Sequence, residues 1–221
     1  MANVLEDLLE ALEDVDDATR EEAAQTLADL GDPTTLDALI NACNDDFWSV
    51  RAHAGCGIAK IGGPKAVEAL VGLFNDPIME VRDQAVEATA KIGPIVLDRL
   101  VTAMKDERWR VREHAAKAAG KIKDSGTVDA LIGACRDRDG AVKSAAAEAL
   151  GKIADAKAIP ALIKLFRDSS KIVRETAGTA LIYIGYPSVD PLLDSLTDKD
   201  FVVRCHAARA LGGMSTDYQI G

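Results

Sequence analysis

Aromatic side chains are scarce, with four Phe, three Tyr and two Trp among 221 residues. Long apolar runs are absent: none reaches the length a helix needs to cross a bilayer, and no signal-peptide pattern occurs. No Gly-, Ser- or Pro-rich linker and no low-complexity stretch interrupts the chain, so one continuous unit over 1–221 is expected. Cys43, Cys56, Cys135 and Cys205 include no Cys-x-x-Cys pair, which argues against a disulfide framework and a structural zinc site. Gly-rich phosphate loops, Ser/His/Asp or Cys/His constellations and ligand clusters are also missing, and with them the usual grounds for catalysis. The expectation is a soluble, cytoplasmic, non-enzymatic protein with reduced thiols, no cofactor and no metal.

Positive charge is nearly absent from one end. Residues 1–32 hold Arg20 against 11 acids, while 33–221 carry 25 residues of each sign, so the net −10 sits in the first segment. An end repeat of a stacked array must face water, and Glu6, Asp7, Glu10 and Glu13 read as a polar cap; a site for a basic partner is the sharper alternative. The neutral remainder argues against nucleic acid as a partner.

What the chain does have is a period. Arg20, Arg51, Arg82, Arg112, Lys143, Arg174 and Arg204 return every 30 or 31 residues, each with an aspartate six positions earlier, from Asp14 to Asp198. Such a period marks stacked repeats, here approximately 1–31, 32–62, 63–93, 94–123, 124–154, 155–185 and 186–214. Each unit reads as two helices. A short one starts near a proline or small residue, as in 33–43, 64–74, 94–104, 125–135, 156–166 and 187–196. A longer one runs from the Asp turn through Val-Arg and a line of alanines to a Gly.

These residues resemble the HEAT-like repeats first associated with phycobilisome lyase subunits, through Gly31-Asp32-Pro33, the Asp to Val-Arg spacing, the Ala-Ala pairs and the Leu-Gly or Ile-Gly helix ends. The resemblance covers essentially the whole chain and implies an all-α fold. About 14 helices would form seven antiparallel pairs in a right-handed α-α superhelix, the second helices lining the concave side. It also implies a structural ladder in which each arginine bonds a turn aspartate of an adjacent unit, through Asp45, Arg51, Asp76, Arg82, Asp106, Arg112, Asp168 and Arg174. Lys143, a single point charge, should make a weaker rung. A phosphate-binding stripe is the competing reading of this series.

Specificity must lie where the repeats differ. Helical spacing puts the positions two before, and two, five and nine after, each Arg on an exposed stripe. Repeat 4 places Arg110, His114, Lys117 and Lys121 there, with Trp109 alongside, and Lys60, Lys91 and Lys152 occupy the last stripe position of their repeats. These residues and His53 are the candidate partner-binding set; the bland reading of the lysines is complementation of the helix dipole. Toward the end the stripe turns mixed, with Ile172, Thr176, Thr179 and Tyr183. His53, His114 and His206 share one repeat position, yet stacked pairs roughly 10 Å apart keep them from sharing an ion. No His-Glu dipeptide occurs, which excludes the chemistry of the HEAT-like iron hydroxylases. Trp48, Trp109 and Phe201 read as packing first and partner anchors second, and Phe47 as more exposed than Trp48. The last repeat should end at Gly212-Gly213 with a short tail, leaving an uncapped face for the tail, a partner or a homodimer.

The sequence thus points to a scaffold binding a protein or peptide partner, acidic in character. The alternative that the resemblance allows is an accessory or lyase-type subunit handling a tetrapyrrole or another cofactor-bearing protein.

Overall fold

The aspartate of each repeat organises the turn that launches its long helix. Its Oδ1 accepts the backbone N–H two residues on, at Asp16, Phe47, Ile78, Arg108, Asp139, Ser170 and Asp200, over 2.8–2.9 Å. Aspartate suits this turn because its short side chain closes the ring back onto its own backbone. The long helices that follow are α2 (Asp17–Leu30), α4 (Trp48–Ile61), α6 (Met79–Ile92), α8 (Trp109–Ile122), α10 (Gly140–Ile153), α12 (Lys171–Ile184) and α14 (Phe201–Asp217). The short helices are α1 (Ala2–Ala11), α3 (Leu36–Ala42), α5 (Pro64–Leu73), α7 (Leu97–Ala103), α9 (Val128–Ala134), α11 (Ile159–Lys164) and α13 (Val189–Ser195). All but α1 and α5 are entered through a three-residue 3₁₀ turn. The computed structural model describes residues 2–217, and no strand occurs among them. The fold is an all-α solenoid of HEAT-like helix pairs.

The chain divides into two compact units, Met1–Ala103 and Met104–Gly221. In the first, α2, α4 and α6 lie side by side, with α3 and α5 packed across them. In the second, α8, α10, α12 and α14 form the corresponding row, backed by α9, α11 and α13. Each short helix from α3 on contributes one fully buried leucine at the same repeat position. Leu39, Leu70 and Leu100 do so in the first unit, and Leu131, Leu162 and Leu192 in the second. Each contributes about 2 kcal/mol by removal of its side chain from water. The small residues set the spacing of the long helices. A Cβ on Gly57 would come within 3.0 Å of the Ala28 Cα, on Gly120 within 2.8 Å of the Ala149 Cα, and on Gly151 within 2.7 Å of the Ala180 Cα.

The arginines tie the repeats together with both arms of the guanidinium. Arg20 Nε and Nη2 grip Asp45 at 2.7 and 2.9 Å, Arg51 grips Asp76 at 2.6 and 2.9 Å, and Arg112 grips Asp137 at 2.6 and 2.8 Å. Nη1 reaches the carbonyl of the aspartate six residues earlier, at Asp14, Asp45 and Asp106 respectively. So the near aspartate supplies its backbone and the next repeat's aspartate its carboxylate. Lys143 has one ammonium, which bonds Asp168. Arg82 holds the Asp76 and Pro77 carbonyls at 2.6 and 3.0 Å, and Asp106 takes Arg108 bidentately at 2.9 Å within its own turn.

Arg174 departs from the expected ladder. Its Nη1 reaches the Asp168 carbonyl at 2.6 Å, but Nε donates to His206 Nε2 at 3.3 Å and Arg167 takes Asp198 instead. The four rungs described above span 25 residues each, whereas Arg174 and Asp198 are 24 apart, one residue short of that register. The chain end is also corrected. Rather than stopping at Gly212-Gly213, α14 continues to Asp217, because two glycines lower helix propensity without breaking the hydrogen-bond pattern. The remainder of the anticipated tail, 218–221, lies outside the described residues.

Candidate partner-binding face

A long helix advances about 100° per residue, so the four stripe positions fall roughly 140–200° from the ladder arginine. The position two after Arg is one edge of that arc, and in α4 and α14 it turns toward the preceding helix pair. His53 Nε2 accordingly lies 3.7 Å from Glu21 Oε1, and His206 stacks on Phe166 with ring centroids 5.5 Å apart. Burial, and then the cations Arg174 and Arg209, push the His206 imidazole below its ordinary value. His114, expected on the exposed stripe, is instead 2% exposed, and its Nδ1 lies 2.7 Å from the Arg110 carbonyl. Ser49 and Ala145 are buried stripe positions as well.

The remaining candidates stay at the surface. In the first unit Lys60 and Lys91 are exposed, and Lys60 Nζ donates to the Asp29 carbonyl at 2.6 Å at the C-terminal end of α2. That contact gives the bland reading a concrete form, a cation on a neighbouring helix's negative pole. In the second unit Lys117 pairs with Glu113 at 2.7 Å and Lys152 with Glu148 at 2.6 Å, each one helical turn away. Arg209 Nη1 holds Glu175 at 2.8 Å, Lys121 is exposed, and the Arg110 guanidinium sits 4.8 Å from the centre of the Trp109 ring. Trp48, Trp109 and Phe201 are partly exposed, so part of each ring faces solvent. Phe47 is half-buried and Trp48 exposed, the reverse of expectation: Phe47 has an extended backbone immediately before α4 and its N–H is held by Asp45. Cys43 and Cys135 are buried, with thiols pushed up to about 12 by loss of hydration, while Cys56 and Cys205 are exposed.

The second unit contains a groove of about 620 Å³ over α10 and α12, lined by Glu148, Lys152, Ile172, Glu175, Thr179 and Tyr183 together with Lys123 and Ala154. Ile172 and Tyr183 are each 68% exposed, while Val173, Leu181 and Ile184 on the other side of α12 are buried. Thr176 and Thr179 donate their hydroxyls to the Ile172 and Glu175 carbonyls at 2.9 and 3.2 Å, which leaves their methyl groups for the surface. Lys152 alone of this lining belonged to the candidate set. The signal for the rest was Ile172 and Tyr183 at stripe positions that are polar or small in the other repeats of this unit up to α10. Lys123 was signalled by standing where Gly31, Gly62, Gly93 and Gly185 end other long helices.

Residues 5–90, 97–182 and 159–219 match a family model described as HEAT repeats. Among solved structures, yeast importin-β (Kap95p) matches with a TM-score of 0.63 at 17% identity, covering 96% of this chain and 35% of its own, so the chain spans about a third of that protein. The CpcE–CpcF phycocyanin lyase of Nostoc sp. PCC7120 matches with a TM-score of 0.56 at 23% identity, covering 66% of this chain and 98% of the other. An Escherichia coli protein, YibA, matches with a TM-score of 0.53 at 23% identity over 97% of this chain and 83% of its own. Identities this low establish a shared fold. A search of the curated proteins returned no match. No described helix is long and apolar enough to cross a membrane.

Proposed function

The chain belongs to the HEAT-repeat family, and we propose that it is a non-enzymatic scaffold that holds a protein or peptide partner on the open face of its long helices. The observation that carries this reading is the division of labour along each long helix. Residues common to the repeats, the Asp turn, the Val-Arg pair and the alanines, are spent on turns, ladder and core, while the exposed stripe changes chemistry from one repeat to the next. A rigid frame with a variable face suits recognition.

In the second unit the face is cationic, which favours an acidic partner. Reversing Arg110, Lys117 and Lys121 together to Glu should abolish partner binding while helicity and melting temperature stay unchanged. Affinity that survives the triple reversal would exclude this face. The lyase-type alternative has only the fold of the phycocyanin lyase in its favour. Incubation with a bilin and its acceptor protein tests it, and an unchanged absorption spectrum would count against it.

A further inference from the structure

We propose that the groove over α10 and α12 is an anchor socket for an acidic segment of a partner protein bearing one large aliphatic or aromatic side chain. This rests on the scaffold reading and assigns the partner's chemistry. The floor is the exposed face of α12, where Ile172, Thr176, Thr179 and Tyr183 follow one another at helical spacing. Ile172 and the Tyr183 ring are each 68% exposed, and the two threonine hydroxyls already donate to helix carbonyls. The floor therefore offers chiefly apolar contact, which suits a hydrocarbon or aromatic anchor.

The surroundings set the sign of the anchor's flanks. The long helices of this unit contribute Arg110, Lys117, Lys152 and Arg209 to the face, and Lys123 follows α8. Three glutamates oppose these five cations, and each is already bonded to one of them. The excess is positive in a chain whose net charge is −10.

Lys123 supplies a separate observation. Lys123 and Ala154, at φ of 59° and 60°, are the non-glycine residues with positive φ among the described residues, and both line this groove. A left-handed conformation is costly for a residue with a Cβ, and glycine fills this place at Gly31, Gly62, Gly93 and Gly185. Lysine there puts a cationic residue in the groove's lining at the expense of helix-end stability, a pattern that belongs to functional sites.

The test uses the full chain and fluorescence anisotropy at low salt. The probe is a fluorescein-labelled decapeptide of Asp and Glu with one central Phe, compared with the same peptide carrying Gly for Phe, or Asn and Gln for the acids. The Phe-bearing acidic peptide should bind at least tenfold more tightly than either control. The Ile172→Ser/Tyr183→Ser double variant should lose about tenfold, with unchanged helicity. Lys123→Gly should weaken binding several-fold and yet raise the melting temperature by about 2–4 °C, since glycine relieves the backbone. A merely structural lysine would show the rise without the loss of affinity. Equal binding of all three peptides, no binding of any, or wild-type affinity in the double variant overturns the socket. If the double variant still holds a native partner that the Arg110/Lys117/Lys121 reversal releases, the socket falls and the scaffold reading stands. Sedimentation equilibrium adds one arm: self-association that the double variant abolishes would make the occupant a second copy, and overturn the proposal.

Discussion

The two units are built alike and charged differently. Met1–Ala103 contains 20 acidic and seven basic residues, a formal charge of −13, whereas 104–221 contains 16 acidic and 19 basic residues, a formal charge of +3. Yet Arg51 grips Asp76 in the first unit as Arg112 grips Asp137 in the second, and Leu70 and Leu131 are equally buried. Charge is thus free to diverge because it sits on positions the frame does not use. The first unit ends its long helices with glycine at Gly31, Gly62 and Gly93. The second twice does without it, at Lys123 and Ala154, beside its groove.

If the frame is common to both units, breaking it should cost the same in each. Arg51→Ala and Arg112→Ala should each lose about 3 kcal/mol, because the partner aspartate is left partly buried and unpaired. Lys143→Ala should lose less, about 2 kcal/mol, because Asp168 is as buried as the other rung aspartates but gives up one contact where they give up two. Urea unfolding checks this, and a Lys143 loss as large as that of Arg112 would remove the distinction between rungs.

Glycines should respond by location. Gly151→Ala should destabilise by about 1–3 kcal/mol, since its Cβ would meet the Ala180 backbone at 2.7 Å. Gly72→Ala, with nothing within 4 Å, should stabilise by about 0.5–1 kcal/mol through helix propensity. Calorimetric melting of the two variants separates these signs.

Acid should weaken both units by the same mechanism. The hydrogen bond from Arg20 holds Asp45 below the ordinary carboxylate value; Asp137 and Asp168 are pushed up by burial, but their bonds to Arg112 and Lys143 and to backbone N–H groups outweigh it. A carboxyl depressed in the folded state contributes its full stability above its unfolded value and loses it as pH falls through the folded one. Melting temperature should therefore hold from neutrality to about pH 4 and fall steeply below. Asp137→Asn should flatten that fall while lowering the neutral-pH melting temperature. The smallest effect belongs to Ala154→Gly, which should stabilise by about 1 kcal/mol or less through relief of the left-handed backbone.

Much of the frame was legible because it is written seven times. The Asp, Arg and Ala positions recur, and recurrence gave helix pairing, the small-residue helix contacts and the ladder partners at Asp45, Asp76 and Asp137. What escaped was local geometry. A one-residue difference in spacing sends Arg174 to His206 rather than Asp198, and a sequence period of 30 or 31 does not say which repeats tolerate it. His114 was misplaced because the stripe is an arc, and helical spacing alone does not say that its edge is buried, as it is at His114. Phe47 and Trp48 exchanged exposure because backbone conformation at a helix start, rather than helical spacing, aims the first of them. The groove needed the structure to show that the threonine hydroxyls turn inward, although Ile172, Tyr183 and Lys123 were visible as departures from the repeat.

In the proposed binding mode the second unit's long-helix face, and not the acidic first unit, receives the acidic partner. Amide hydrogen exchange of the full chain, with and without saturating Phe-bearing acidic peptide, distinguishes the two. Added protection is expected in α8, α10 and α12 alone. Protection in α2, α4 or α6 with none in α12 would contradict it.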